Sequence, residues 1–298
     1  MTQFSARQTS GDVWQGPVRM PRNSAQHQKG SIHDDATAQK LGFRGGTVAG
    51  SLHMEQFPPL LTHLFGPAWW ETGSLSLYFR YATTDLEPVQ CFAVAPPRLQ
   101  NGGTQRTEVW MEHAKLGAAV PERVADGTAS VGAPDCASAL RQRVALVPEA
   151  GELRILAGLA AQTTCESIPT RVPATALAER LAVITEPLAE YTDGSRWGRP
   201  ALPPSLMVRA MRAVEPALLA RTGPVVGLFG AIEVQHFGGP LFAETDYLAR
   251  GRIMAVSDTP KTEYFWYETI LTDPAEGRPV ASMLMMLRFM KASSPLWQ

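Results

Sequence analysis

The chain has 298 residues, of which 45% are hydrophobic and 18% charged, and its formal net charge is −1. A balance this close to neutral gives no electrostatic basis for binding nucleic acid or an anionic membrane surface. The length suffices for one large domain or two ordinary ones, and the low charged fraction predicts extensive burial or a homo-oligomer.

The cysteines and the N-terminal segment indicate the cellular compartment of the protein. Cys91, Cys136 and Cys165 show no metal-ligand spacing, and their odd number disfavours a disulfide framework. The segment from Met1 to Gly16 is polar, unlike a signal peptide, and no apolar run approaches the ~18 residues of a membrane span. We therefore expect a cytoplasmic protein with no metal, no cofactor and no membrane partner.

In the first part of the chain, a glycine-rich loop leads into a helix and then into strands. The segment Gly46–Met54 opens a helical stretch that extends to about Phe65. Residues rich in Val, Tyr, Phe, Trp and Thr then predict strands at about 74–82, 88–96, 105–114 and 123–132. The apolar and polar alternation in Glu108–Glu112 is typical of a half-buried antiparallel strand.

The remainder of the chain repeats this order after a connecting segment. Residues 136–170 are rich in Ala, Pro and Gly and predict a connection, with a helical stretch at Leu153–Ala161. A second helix is expected from about Ser205 to Leu219. Strands are then predicted at about 228–237, 244–256, 261–272 and 279–290.

Three local matches at a nearly constant offset of about 155 residues indicate an internal repeat. Ser51 at the first helix matches Ser205, and the strand segment Thr107–Met111 matches Thr262–Trp266. The third match joins Val124-Ala125 to Val280-Ala281. Their shared order predicts two related halves, residues 1–135 and 171–298, joined by the connection at 136–170.

One helix followed by antiparallel strands predicts an α+β half. Its sheet curls around the helix and buries one face against it. Two such sheets can join edge to edge, which removes two exposed strand edges. The predicted architecture therefore has two central helices, each wrapped by a curved antiparallel sheet.

This doubled arrangement is similar to the double-hotdog fold, and one segment carries a more specific resemblance. Residues 32–52 resemble the signature of the MaoC-like (R)-specific enoyl-CoA hydratases. That signature has Asn-Pro-x-His-x-Asp, an Ala, a Gly-Phe pair and a glycine that opens the hotdog helix. The matching positions are His33, Asp35, Ala38, Gly42-Phe43 and Gly50.

The sequence departs from this signature at three positions. Gln28 stands where the family has its catalytic Asp, Gly30 where it has Asn, and Ala49 where it has a second His. The corresponding stretch of the second half, Tyr191 to Pro204, contains no His. The resemblance therefore implies at most one active site, which lies in the first half.

The resemblance implies a hydratase or dehydratase acting on a 2-enoyl or 3-hydroxyacyl thioester of CoA or a carrier protein. His33 would move the proton, since an imidazole titrates near neutral pH. The Gly50 N–H at the helix start would hold the thioester oxygen, although close packing alone would also explain this glycine. Asp35 or Gln28 would orient the imidazole or water, unless Asp35 caps a helix starting near Ala36.

We expect six further residues to bind the substrate, namely Phe43, Ala49, Ser51, His53, Glu55 and Trp70. Glu55 also supports an alternative, since a carboxylate on this helix is the general base or nucleophile of some hotdog acyl-CoA thioesterases. A third hypothesis is an acyl-thioester binding protein without catalytic activity, because a fold alone does not fix function.

Overall fold

In the first half, two short strands and four short helices precede the four sheet strands that the sequence predicts after a single helix. The structure, a computed structural model, describes residues 6–9, 11–97, 103–114, 122–220, 222–223 and 225–298. The elements of this half are β1 (Arg7–Gln8), β2 (Val13–Gln15), α1 (Asp35–Lys40), α2 (Gly50–Met54), α3 (Pro58–Phe65), α4 (Ala68–Thr72), β3 (Ser74–Phe79), β4 (Val89–Val94), β5 (Thr104–His113) and β6 (Arg123–Gly132).

The second half follows the same order after a connection that carries one helix. The helix of the connection is α5 (Ala139–Val144), and the elements that follow it are β7 (Ile168–Thr170), α6 (Ala174–Leu181), α7 (Pro204–Met211), α8 (Glu215–Leu218), β8 (Gly227–His236), β9 (Tyr247–Asp258), β10 (Thr262–Thr272) and β11 (Pro279–Met290). Short 3₁₀ turns lie at Ala189–Tyr191, Arg212–Val214, Lys291–Ser293 and Pro295–Trp297. No helix among the described residues is long and apolar enough to cross a membrane.

Within the described residues, eleven strands form one continuous antiparallel sheet. Its order is β1-β2-β4-β5-β6-β3-β8-β11-β10-β9-β7. The two halves therefore join through β3 and β8, which pair antiparallel from Ser74–Gln235 to Tyr78–Ala231. This is the predicted edge-to-edge union of two sheets.

The junction shows that the halves are related by an approximate two-fold axis. Leu75 pairs with Val234 and Leu77 with Ile232, so the axis passes beside the Ser76–Glu233 pair. The β5–β6 ladder has a bulge next to the Met111–Ala125 pair, and the β10–β11 ladder has one next to Leu271–Ala281. The bulges confirm the match of Ala125 to Ala281. They align Met111 with Leu271, so the sequence match of Met111 to Trp266 is out of register.

The helix predicted to run to about Phe65 is divided in two. α2 ends at Met54, and Pro58 and Pro59 occupy the first turn of α3. Proline lacks an N–H and is tolerated only where a helix begins, so the pair forces a new start. The second predicted helix is likewise interrupted, by the 3₁₀ turn Arg212–Val214. α2 and α7 pack against each other inside the curved sheet.

The connection contains a helix, but not at the predicted place. Residues 153–161 form bends and turns, because the backbone N–H groups of Arg154, Ile155 and Leu156 donate to the Glu263 carboxylate at 2.8–3.0 Å. The helix is α5, whose N-cap Ser138 accepts from the Arg141 N–H. A second hydrophobic cluster on the outer face of the sheet contains its buried Leu140, together with Ala231, Trp266, Leu284 and Met286.

Candidate active site

A cavity of about 470 Å³ lies at the start of α2, and both halves of the chain line it. The first half contributes Gln28, His33, Phe43, Ala49, Gly50 and His53, among others. The second half contributes Arg212, Glu215, Leu228, Phe229, Arg288 and Phe289, among others. The walls are mainly apolar with a few polar groups, as in ordinary small-molecule sites.

His33 lines the cavity with a fixed tautomer. Its Nδ1 lies 2.7 Å from the Thr47 carbonyl oxygen. A carbonyl oxygen can only accept a hydrogen bond, so Nδ1 must carry the proton. In the neutral ring Nε2 is then unprotonated and can act as a base.

The loop around His33 is held by backbone bonds that set the position of Thr47. The Thr47 N–H donates to the Ile32 carbonyl at 2.9 Å, and Asn23 Nδ2 donates to the His33 carbonyl at 2.8 Å. A side chain at Gly46 would place Cβ 2.3 Å from the His33 carbonyl oxygen. The glycine-rich turn therefore permits the close approach of the two loop segments.

Asp35 supports this loop and does not contact the imidazole. Its Oδ1 accepts the Gly46 N–H at 2.7 Å. The capping role that the sequence left open for Asp35 falls to Asp34, which accepts from Thr37 N and Thr37 Oγ1 at 3.2 and 2.7 Å. These hydrogen bonds from Thr37 lower the pKa of Asp34.

Gln28 lies at the exposed edge of the cavity. Among the described residues the imidazole of His33 is bonded to Thr47, so the expectation that Asp35 or Gln28 orients the ring is not met. The sequence could not indicate this partner, because the acceptor is a backbone carbonyl that any residue would supply.

Gly50 opens α2 beside the cavity, and its lack of a side chain has a packing reason. A Cβ at this position would lie 2.6 Å from Cε2 of Phe79, another lining residue. The first N–H groups of a helix have no acceptor within the helix, so the Gly50 and Ser51 N–H groups remain suited to bind an oxygen. Ser51 is buried behind the lining surface, which includes Ala49 and Phe43.

His53 is a second histidine in the cavity wall, but it is deeply buried. Its Nε2 lies 2.8 Å from Thr83 Oγ1. Burial lowers the pKa of His53 to about 4, so the ring is neutral at pH 7.

Glu55 and Trp70 do not line the cavity. Glu55 is buried between the central helices, where Ser205 Oγ donates to its carboxylate and Arg180 Nε lies 3.7 Å away. Burial raises the pKa of Glu55 to about 7, against the opposing effect of Arg180 and Ser205. Trp70 is in the core and donates from Nε1 to Thr62 Oγ1 at 3.1 Å.

The sequence did not indicate the polar residues that the second half contributes. Arg212 makes two 2.7 Å hydrogen bonds to the Glu215 carboxylate, which also accepts from the Tyr267 hydroxyl at 2.5 Å. Arg288 enters from β11. The described residues hold no group of three or more His, Cys, Asp or Glu side chains placed to bind a metal ion.

Comparisons with known proteins identify the fold. No family model matches the chain, and no curated protein does. A MaoC domain protein from Chloroflexus aurantiacus, assigned as a dehydratase, superimposes with a TM-score of 0.58 at 13% identity over 97% of this chain and 95% of its own. A structure described as a MaoC-like dehydratase gives 0.57 at 13% identity over 94% and 98%.

A conserved hypothetical protein from Mycobacterium tuberculosis, described as having a double hotdog fold, gives a TM-score of 0.57 at 12% identity over 95% and 96% of the two chains. Identities this low establish architecture and not activity. The predicted α+β double hotdog is confirmed: this chain has the double-hotdog fold, in common with structures of MaoC-like dehydratases.

Proposed function

We propose that this protein is a hydratase or dehydratase acting on an acyl thioester of the 2-enoyl or 3-hydroxyacyl type. The observation that carries the proposal is the bond from His33 Nδ1 to the Thr47 carbonyl, which leaves Nε2 as a base in a largely apolar cavity. The double-hotdog fold, found also in MaoC-like dehydratase structures, supports the reaction class.

A single histidine can balance the protons of this reaction. In hydration, Nε2 of His33 takes a proton from water as the water oxygen bonds to C3 of the enoyl group. The electron pair of the double bond moves to the thioester oxygen, where the Gly50 N–H stabilises the enolate. The imidazolium then returns its proton to C2, so no second acid is needed in place of Gln28. Dehydration follows the same steps in reverse.

Residues in and around the cavity would position the loop and the ligand. Asp35 acts through the Gly46 N–H, and so indirectly on the Thr47 carbonyl that fixes His33. Phe43 and Ala49 give the acyl group an apolar surface. His53 is neutral, because a ring with a pKa of about 4 is not protonated near pH 7. It supports the cavity wall through its hydrogen bond with Thr83.

The thioesterase alternative receives less support from the geometry. Glu55 is buried against Ser205 and Arg180 and does not line the cavity, so a thioester bound beside His33 would not reach its carboxylate. The contribution of Trp70 to substrate binding is similarly disfavoured, since its ring packs on Tyr191 in the core.

The test is incubation of the purified protein with 2-enoyl-CoA and saturated acyl-CoA thioesters, with products read by mass spectrometry. We expect one water to be added to the enoyl substrates. His33→Ala should lower the rate by about a hundredfold or more, the usual contribution of a positioned general base. His27→Ala is the matched control, because His27 is exposed in the same loop and does not line the cavity.

Three outcomes would contradict this proposal. Hydration that survives His33→Ala would remove the residue from the mechanism. Release of free CoA would favour thioester hydrolysis instead. Thioesters that bind and return unchanged would indicate a binding protein.

A further inference from the structure

The lining of the cavity includes residues from both faces of the sheet at the junction of the two halves. The ladder between β3 and β8 ends at the Tyr78–Ala231 pair. Beyond that pair, residues 79–82 line one side of the cavity and residues 227–230 line the other. A ligand seated beside His33 could therefore extend through this gap towards the outer face of the sheet.

Two arginines lie at the outer end of this gap. Side chains alternate between the faces of a strand, so Arg288 lies on the same face as Met286, which belongs to the outer hydrophobic cluster. Arg80 lies on the same face as Tyr78, which packs against that cluster. The residue between Tyr78 and Arg80, Phe79, points inward and packs against the main core.

Arg288 has unused hydrogen-bonding capacity. Its Nη2 donates to the Tyr78 hydroxyl at 2.5 Å, but its Nε is buried and has no hydrogen-bond partner among the described residues. No described carboxylate lies within salt-bridge distance of this guanidinium, although the other lining arginine of the second half, Arg212, is paired with Glu215. A buried cationic donor without an acceptor is costly, so it is normally satisfied by an anion or by water.

The surroundings of Arg288 add positive charge. The guanidinium groups of Arg80, Arg143 and Arg288 lie 5.6, 4.4 and 5.6 Å from the ring centroid of Tyr78. Arg80 and Arg143 share one carboxylate, that of Asp126. Three cations beside one anion leave an excess of positive charge at the outer opening of the cavity.

We propose that Arg288, with Arg80 beside it, forms an anion site that binds phosphate or carboxylate oxygens of the ligand at the outer opening. The planar fork of a guanidinium matches both groups. The site rests on the proposed function in taking an acyl thioester as the ligand. The anion is then either a phosphate of the carrier or a carboxylate on the acyl group.

The experiment measures binding and not turnover. Titration calorimetry with a saturated carboxyacyl-CoA, which carries both kinds of anion and cannot be hydrated, should give a Kd about tenfold or more higher for Arg288→Gln than for wild type, since a charge-assisted hydrogen bond is lost. The control is Arg250→Gln, which removes one exposed positive charge from β9 and should leave the Kd unchanged. Arg288→Lys keeps the charge but not the fork and serves if the glutamine variant fails to fold.

Two further ligands separate the sources of the anion. If a carrier phosphate is bound, Arg288→Gln should not weaken binding of an acyl-pantetheine, which has no phosphate. If an acyl carboxylate is bound, the loss should persist with a carboxyacyl-pantetheine and be absent with its neutral analogue.

Equal affinity of wild type and both Arg288 variants for all these ligands would overturn the anion site, as would a wild type that binds none of them. Hydration with unchanged affinity in Arg288→Gln would overturn the anion site alone. Affinity lost in that variant without any hydration by wild type would overturn the proposed reaction alone.

Discussion

The two halves share a fold but differ at the start of their central helices. In the first half Gly50 begins α2 beside the cavity, whereas Pro204 occupies the corresponding position of α7, and proline has no N–H to offer a ligand. The segment before α2 carries His33, and the segment before α7 packs aromatic rings on Trp70.

Before α7, aromatic rings pack where the first half has its candidate active site before α2. Trp70 contacts Tyr191 and Trp197 with ring centroids 5.8 and 6.0 Å apart, and Trp197 also contacts Phe242 at 6.2 Å. Trp70 and Tyr191 are almost completely buried. The same architecture thus supports a lined cavity at the start of α2 and a packed core before the start of α7, and the difference depends on a few residues.

The largest effect we expect comes from opening that packed core. Trp70→Ala should reduce the free energy of unfolding by about 3–5 kcal/mol, the usual cost of removing a buried aromatic side chain. Chemical denaturation followed by circular dichroism measures the change. Trp110→Ala is the control, since Trp110 is only half-buried and stacks on Phe92, and it should cost much less. Equal losses in the two variants would show that Trp70 is not a packing centre.

A smaller effect concerns the carboxylate between the halves. Burial raises the folded-state pKa of Glu55 to about 7 from an ordinary value of 4.5. Between these values the folded state binds more protons than the unfolded state, so stability should fall as pH rises from about 4.5 to 7 and then level off. The total change attributable to this group is about 3 kcal/mol.

Glu55→Gln tests this assignment, because an amide can still accept from Ser205 but does not titrate. Denaturation midpoints measured from pH 4.5 to 8 should lose part of their downward slope in the variant. Glu179→Gln, a change at an exposed residue of α6, should keep the wild-type slope. A Glu55→Gln profile parallel to that of wild type would contradict a raised pKa at this position.

The sequence indicated the strands well because their pattern is local. Predicted strands such as 279–290 and 123–132 coincide with β11 and β6, since residues such as Val, Phe and Thr favour a pleated, half-buried surface. The helix starting at Gly50 was also evident from its glycine-rich approach. The repeat was recognisable in order but not in register at β5 and β10, because the chain from Met111 to its partner Ala125 is four residues longer than the chain from Leu271 to its partner Ala281.

The candidate site was only partly accessible from the sequence. His33, Gly50, Ala49 and Phe43 belong to one segment, so a local motif brings them together. Arg288 reaches the same cavity only because β8 and β11 pair and join the first sheet, a long-range consequence of the fold. The burial of Glu55 away from the cavity follows from the packing of α2 on α7, which helical spacing alone does not specify.

The smallest effect we expect compares the two helix starts directly. Gly50→Ala places a methyl group 2.6 Å from the Phe79 ring, so the ring or α2 must shift. Overpacking of this kind costs about 1–3 kcal/mol and should also lower hydration by displacing the N–H groups of the first turn. Pro204→Ala creates no such steric clash and restores a backbone N–H. It should therefore change stability by less than about 1 kcal/mol and leave the hydration rate as in wild type. Chemical denaturation and steady-state hydration rates of both variants test this comparison. Equal changes in stability and in rate would mean that the two helix starts are functionally equivalent. The asymmetry between the halves would then lie in His33 alone.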